Sequence, residues 1–288
     1  MVMDLEISHV KLSVLFENST YRPGIIAAHG LSLMVHVRYE DSSQFVFLFD
    51  TGSDPNILEN NVKALGKTLR DVNAIVISHG HYDHTGGLLK ALELIGRRTP
   101  IILHPDALLK KLVLKPKIRY NGIPFRREEI EKAGGIIIKN RKPLEIAPNI
   151  YVLGEIPRET DFEIISGFYI VRNGNVEKDE MLDDQGVVIK MPNGVIILSG
   201  CGHSGIINMI NYATKISKQN RIKLAIGGFH LINADRIRIN KTLEIINELE
   251  IEKIAPMHCS GTEFISKIAT TKQEKYLELH TGDEIIIK

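Results

Sequence analysis

SHGHYDHTGG, residues 78–87, packs His79, His81, Asp83 and His84 into six consecutive positions. The chain has 11 histidines in 288 residues, so this density asks for a chemical reason. His79 and His81 are two apart, and in extended or looping backbone such side chains point the same way. Asp83 and His84 follow at the turn into a helix that Gly86 and Gly87 open. Two imidazoles can close on one cation, and an aspartate with a third imidazole can take a second. Imidazole and carboxylate with few thiolates suit zinc first, with manganese or iron as alternatives. Two such ions about 3.5–4 Å apart would clamp a bridging water and lower its pKa toward neutrality.

A two-ion site needs more than one loop, and four other places end an apolar run with a suitable residue. QFVFLFDTG puts Asp50 before a Thr-Gly turn. GVIILSGCGHSG puts Cys201 and His203 after a buried strand and before a helix. KLAIGGFHL puts His230 after two glycines, in what reads as a looser turn. KIAPMHCSG puts His258 and Cys259 near the C-terminus. Polar residues recurring at strand ends are what a site along one sheet edge requires.

The remaining pattern is that of an α/β chain. LEISHVKLSVLF, LSLMVHVRYE and QFVFLFD read as strands, with EDSS as a hairpin turn. Asp54 caps and Pro55 opens a helix that Gly66 stops. NAIVIS and TPIILHP are buried strands, and helices follow Gly87, Gly205 and Ala234. Residues 105–148 are basic, broken by prolines and weakly periodic, and read as an insertion forming a rim or lid. Within it Lys110, Lys111, Lys115, Lys117, Arg119, Arg126 and Arg127 read as an exposed, charge-balanced face. No repeat or long linker appears, so one domain over 1–288 is expected. Strands in both halves with helices late in each half predict a four-layer αββα sandwich.

Composition bounds the function. The net charge of +1 gives no global field toward nucleic acid or an anionic membrane. The N-terminal stretch lacks the features of a secretory leader, and no apolar run approaches the ~20 residues of a membrane span. Two cysteines are too few for a disulfide framework and fit a cytoplasmic protein. High isoleucine and charge without tryptophan point toward a thermophilic source. A homo-oligomer is compatible with all of this.

HGHYDH at 79–84, FDTG at 49–52 and APMHCSG at 255–261 resemble the motifs of the metallo-β-lactamase superfamily. HGHYDHTGGL, SGCGHSGIIN, GGFHL and MHCSG together look like its dihydropteroate-synthase-like branch, the dihydropterin-ribofuranosylaminobenzene 5′-phosphate synthase-like enzymes. That likeness implies a condensation of a pterin pyrophosphate with an arylamine phosphate. It also implies His79, His81 and His203 on one ion, and Asp83, His84 and His258 on the other. The bridge is then water, Asp184 or Cys201, and Asp50 orients the histidine loop. Asp83 and His230 are the expected catalytic groups, with His230, Glu155 and Arg158 as contacts to a phosphorylated small molecule. One alternative is a hydrolase of esters, lactones or phosphodiesters using metal-activated water, RNA included. A second is a non-catalytic or redox metal module. The redox members of the superfamily carry an acidic residue where His81 stands, which argues against that one.

Overall fold

The computed structural model describes residues 5–288. The first four residues of the stretch read for leader features lie outside that range. Two large sheets form the centre. The first has seven strands, in spatial order Glu284–Ile287, Ile7–Phe16, Ser32–Tyr39, Gln44–Phe49, Ala74–Val76, Thr99–Leu103 and Gly135–Lys139. The second has six: Ile251–Met257, Ile222–Gly228, Gly194–Ser199, Val187–Met191, Ile150–Val152 and Leu144–Ala147.

Alternation explains how they stack. Val10, Leu12, Val14, Leu33, Val35 and Val37 point to the inner face of the first sheet and meet Val187, Ile189, Ile196, Leu198, Leu224 and Ile226 of the second. The intervening residues point outward and are covered by helices. Met34, Val46, Leu48 and Ile75 pack under Leu58 and Val62 of helix Pro55–Ala64, and under Leu88, Ala91 and Leu92 of helix Leu88–Ile95. On the other side Val188, Val195, Ile197 and Ala225 pack under helices Ile206–Ser217, Arg236–Glu248 and Thr262–Thr271. The result is the four-layer αββα sandwich.

The local signals act where expected. Asp54 accepts the amides of Asn56 and Ile57, and Gly66 takes φ 62° after the helix. Residues 105–148 are only partly an excursion. Lys110–Val113 and Arg119–Tyr120 leave the main sheets and join Phe168–Arg172 and Asn175–Lys178 in a small four-stranded sheet. The chain then returns, and Gly135–Lys139 and Leu144–Ala147 become edge strands of the first and second sheets. Gly135–Lys139 pairs parallel, and such strands read as unbroken apolar runs rather than alternation. No helix among the described residues is long and apolar enough to cross a membrane.

Candidate metal centre

Five strand ends meet on one rim. Asp50 follows Gln44–Phe49, the histidine loop follows Ala74–Val76, and Cys201 and His203 follow Gly194–Ser199. His230 follows Ile222–Gly228, and His258 with Cys259 follows Ile251–Met257. Neighbouring strands of this set run parallel within each sheet, so their C-terminal ends share an edge. Asp50, His230 and His258 sit at φ 61°, 48° and 52°. For non-glycine residues such backbone costs about 1–3 kcal/mol each and clusters where side chains must be aimed.

The first donor group is His79, His81 and His203, all buried, each with a ring nitrogen within 4.8 Å of the others'. Ser78 Oγ donates to Asp50 Oδ2 at 2.7 Å and lies 2.9 Å from His79 Nδ1. With its own proton committed, the hydroxyl accepts from His79 Nδ1, which leaves the lone pair on His79 Nε2. That atom lies 2.9 Å from His81 Nδ1. Both nitrogens of His203 are buried without a hydrogen-bond partner, as is His81 Nε2. Burial holds His79 and His203 well below the usual histidine pKa and takes His81 down to about 3. Neutral imidazoles with convergent, orphaned nitrogens fit a cation.

The second group is Asp83, His84, Cys201 and His258. Asp50 Oδ2 receives His84 Nδ1 at 2.6 Å, turning His84 Nε2 toward Cys201 Sγ at 3.2 Å. His258 Nδ1 faces Asn18 Oδ1 at 3.0 Å, so its Nε2 points inward to Asp83 Oδ2 at 3.3 Å. His29 Nε2 reaches the same oxygen at 3.2 Å. Burial works against the Asp83 carboxylate, yet His84, His258 and His29 outweigh it and hold its pKa well below the usual range. Burial also opposes a proton on His84, but Asp50 and Asp83 push it up to about 9. A cation here therefore displaces a proton from His84, so its affinity rises with pH.

Cys201 also groups with His230 and Cys259. His230 stands at the mouth of the site. Its ring centroid lies 4.1 Å from that of His203, its Nδ1 has no partner, and it lines a cavity of about 660 Å³. The turn before it is not loose. Gly228 donates to Gly200 O at 3.0 Å, and Ser199 Oγ donates to Gly228 O at 2.7 Å. Gly227 has φ +122°, and a Cβ there would meet Ser199 O at 1.8 Å. The two glycines let neighbouring strands touch through their backbones, which clamps His230. Gly227→Ala is expected to destabilise the fold by about 3 kcal/mol or more, read as a shift in the denaturant midpoint.

Several expected residues lie elsewhere. Asp184 is outside the donor groups. Its Oδ2 accepts Ser204 N at 2.8 Å and Ser204 Oγ at 2.6 Å, which braces the turn after His203, while its Oδ1 is buried without a partner. Cys201 is the member of the bridging set that the structure brings to the donors. Glu155 is engaged in a separate network with His104 (2.9 Å) and Arg141, and Arg141 also holds Asp106 at 3.0 Å. Arg158 donates Nη2 to Glu180 O and Met181 O and, with His203, borders a second cavity of about 170 Å³. Asp50 does brace the histidine loop, through Ser78 N at 2.7 Å as well as through His84.

Sequence reasoning passed over four contributors. His29 and Asn18 lie in the coil before Ser32–Tyr39, and Glu17 Oε1 accepts His258 N at 2.9 Å. Lys111, read as part of an exposed face, is 1% exposed. Its Nζ sits 2.6 Å from Asp179 and 2.8 Å from Asp183, and Asp183 Oδ2 accepts Gly80 N inside the histidine loop.

With this geometry in hand, comparison with known proteins is direct. Residues 35–175 match the Metallo-beta-lactamase superfamily. Over 98% of both chains, the sequence is 33% identical to the Methanocaldococcus jannaschii 7,8-dihydropterin-6-methyl-4-(beta-D-ribofuranosyl)-aminobenzene-5'-phosphate synthase. It is 32% identical to a second, uncharacterised protein of that organism, over 90% of this chain and 93% of that one. The crystal structure of Tm1679, a metal-dependent hydrolase of the β-lactamase superfamily, superposes with a TM-score of 0.81 at 29% identity, covering 96% of this chain and 98% of that one. Strand-end histidines, fold and full-length likeness agree, and the chain belongs to the metallo-β-lactamase superfamily.

Proposed function

We propose that this protein is a two-metal synthase that joins a pterin methyl diphosphate to an arylamine phosphate and releases diphosphate. The observation that carries the reading is the 33% identity to the Methanocaldococcus synthase over nearly the whole of both chains. The donor geometry supports it. His79, His81 and His203 would hold one ion, and Asp83, His84 and His258 the other, with Cys201 as a further donor in that second group. Two divalent ions, zinc in preference to manganese or iron, would supply Lewis acidity to the oxygens of the leaving diphosphate.

The rest is the work of the chain. In the condensation the arylamine nitrogen bonds to the pterin methylene carbon, the carbon–oxygen bond to diphosphate breaks, and the amine loses a proton. His230 lines the 660 Å³ cavity and keeps its Nδ1 without a hydrogen-bond partner, and it is the residue we assign to accept that proton. Phe168 stacks near His81 and His203, with centroids 5.1 and 5.0 Å away, and offers an aromatic face beside the donor groups. Both cysteines are free, which fits the cytoplasm as the place of action.

A second reading, hydrolysis at the same site, is favoured by the likeness to Tm1679. One assay separates them. Metal-loaded protein is given the pterin diphosphate with and without the arylamine phosphate. The condensed product should form by mass spectrometry, and diphosphate release should depend on the acceptor. Release without acceptor, and no condensed product, would replace the synthase by a hydrolase.

A further inference from the structure

We infer that Arg238 is the binding residue for the phosphate of the arylamine substrate, in the cavity that it lines together with His230. The inference rests on the synthase reading for the identity of the ligand, and on the geometry of Arg238 for its existence. Arg238 lies on helix Arg236–Glu248 and is 8% exposed. Its Nη1 donates to Ile164 O at 3.2 Å, while Nε and Nη2 are buried without a partner. These two atoms share one edge of the guanidinium plane. That edge is the fork that takes two oxygens of a phosphate at once. A buried, always-charged group with its best hydrogen-bonding edge unused is costly unless something fills it.

The surrounding carboxylates do not fill it. Glu163 and Asp235 act on Arg238 through space, but both are engaged. Glu163 accepts the amides of Ile207 and Asn208 at 2.9 Å and the Thr160 hydroxyl at 3.1 Å. Asp235 caps the helix by accepting Arg238 N at 2.8 Å. Asp161 pairs with Lys241 at 3.3 Å, and Lys241 lies 5.3 Å from the centre of the Phe162 ring.

Arg238 and Lys241 line the same 660 Å³ cavity as His230 and Phe168. That volume suits an organic ligand of moderate size. Phe168 lies beside the rings of His81, His203 and His230, so an aryl ring can stack there while a sugar phosphate reaches the guanidinium. The leaving diphosphate would stay with the metal-donor groups, and the acceptor's phosphate monoester would be held apart from it. This division gives the site a means to tell a phosphorylated acceptor from its dephosphorylated form.

The test compares acceptors with and without the 5′-phosphate on metal-loaded protein. For the wild type, the phosphorylated acceptor should show a KM lower by on the order of tenfold to a hundredfold. In Arg238→Gln that advantage should vanish, with kcat changed only a few-fold and metal content unchanged. Arg238→Lys, which keeps the charge and loses the fork, should recover part of it. Binding is read independently of turnover by calorimetric titration with ribose 5-phosphate and with ribose. Ribose 5-phosphate should bind the wild type more tightly than ribose does, and Arg238→Gln more weakly than the wild type. If no condensed product forms but this difference is seen, the synthase reading fails and the subsite stands. If Arg238→Gln does not fold, Arg238→Lys decides, and a phosphate preference there equal to that of the wild type would overturn the subsite. Equal KM values for the two acceptors, or ribose 5-phosphate binding no better than ribose, would overturn the subsite.

Discussion

His203→Ala should leave the protein with one ion fewer than the wild type and reduce turnover by at least about 10³-fold. The wild type should load two. His203 is one of three donors in its group, and both of its ring nitrogens are buried without a partner. Nothing else in the group can replace it. His79 Nδ1 is tied to Ser78, and Cys201 belongs with His84 on the other side. The turn that carries His203 is fixed by Asp184 through both the amide and the hydroxyl of Ser204, which holds the ring where the other two donors meet it. His230→Ala should behave differently, keeping its metals and slowing the reaction by about 10²–10⁴-fold, as loss of a proton acceptor does. Elemental analysis with activity on both variants decides. If His230→Ala loses an ion and His203→Ala does not, the two roles are exchanged.

That contrast turns on details of unequal legibility. The histidine loop could be read because its ligand types are contiguous, and a run of four in six positions has few other uses. Cys201, His203, His230 and His258 could be found because each follows an apolar run that had to be a strand. What the letters do not carry is aim. Nothing in SGCGHSG says that Asp184, from a separate strand connection, clamps Ser204. Nothing in GGFHL says that Gly227 presses on Ser199, which turned an apparently loose turn into a rigid one. Left-handed backbone at Asp50, His230 and His258 is equally silent, since only a few per cent of non-glycine residues adopt it. His29 and Asn18 sit in coil without periodicity and reach the site only because that coil folds beside it. Arg238 was invisible for another reason. It falls in RIRIN on a helix, where an arginine ordinarily reads as solvent-facing.

Lys111 was misread on the same principle, and it carries the largest expected stability effect. It stands among lysines in a proline-broken stretch, and its partners lie 68 and 72 residues away. Burial disfavours its charge, yet Asp183 and Asp179 outweigh that and raise its pKa. Reciprocally, burial pushes the Asp183 carboxyl up, and Lys111 outweighs it and brings it below the usual range. Lys111→Met keeps much of the volume and removes the cation that Asp179 and Asp183 share. Two buried carboxylates would then face each other unneutralised, and breaking such a pair typically costs about 3–5 kcal/mol. The pH dependence follows from the sign of the shift. In the wild type Asp183 titrates below its unfolded value, so its contribution is present above about pH 4 and is lost only as pH falls further. In the variant, burial without Lys111 raises the carboxyl, so folding takes up a proton and becomes easier as pH drops. The stability gap between the two proteins should therefore be widest near neutral pH and narrow toward pH 4. Adding Asp183→Asn should recover part of the loss, because it removes one of the stranded charges while Asn can still accept Gly80 N. Denaturant unfolding of the three proteins across this range measures both effects. A gap below about 1 kcal/mol at neutral pH would mean that Lys111 is no more than a surface ion pair.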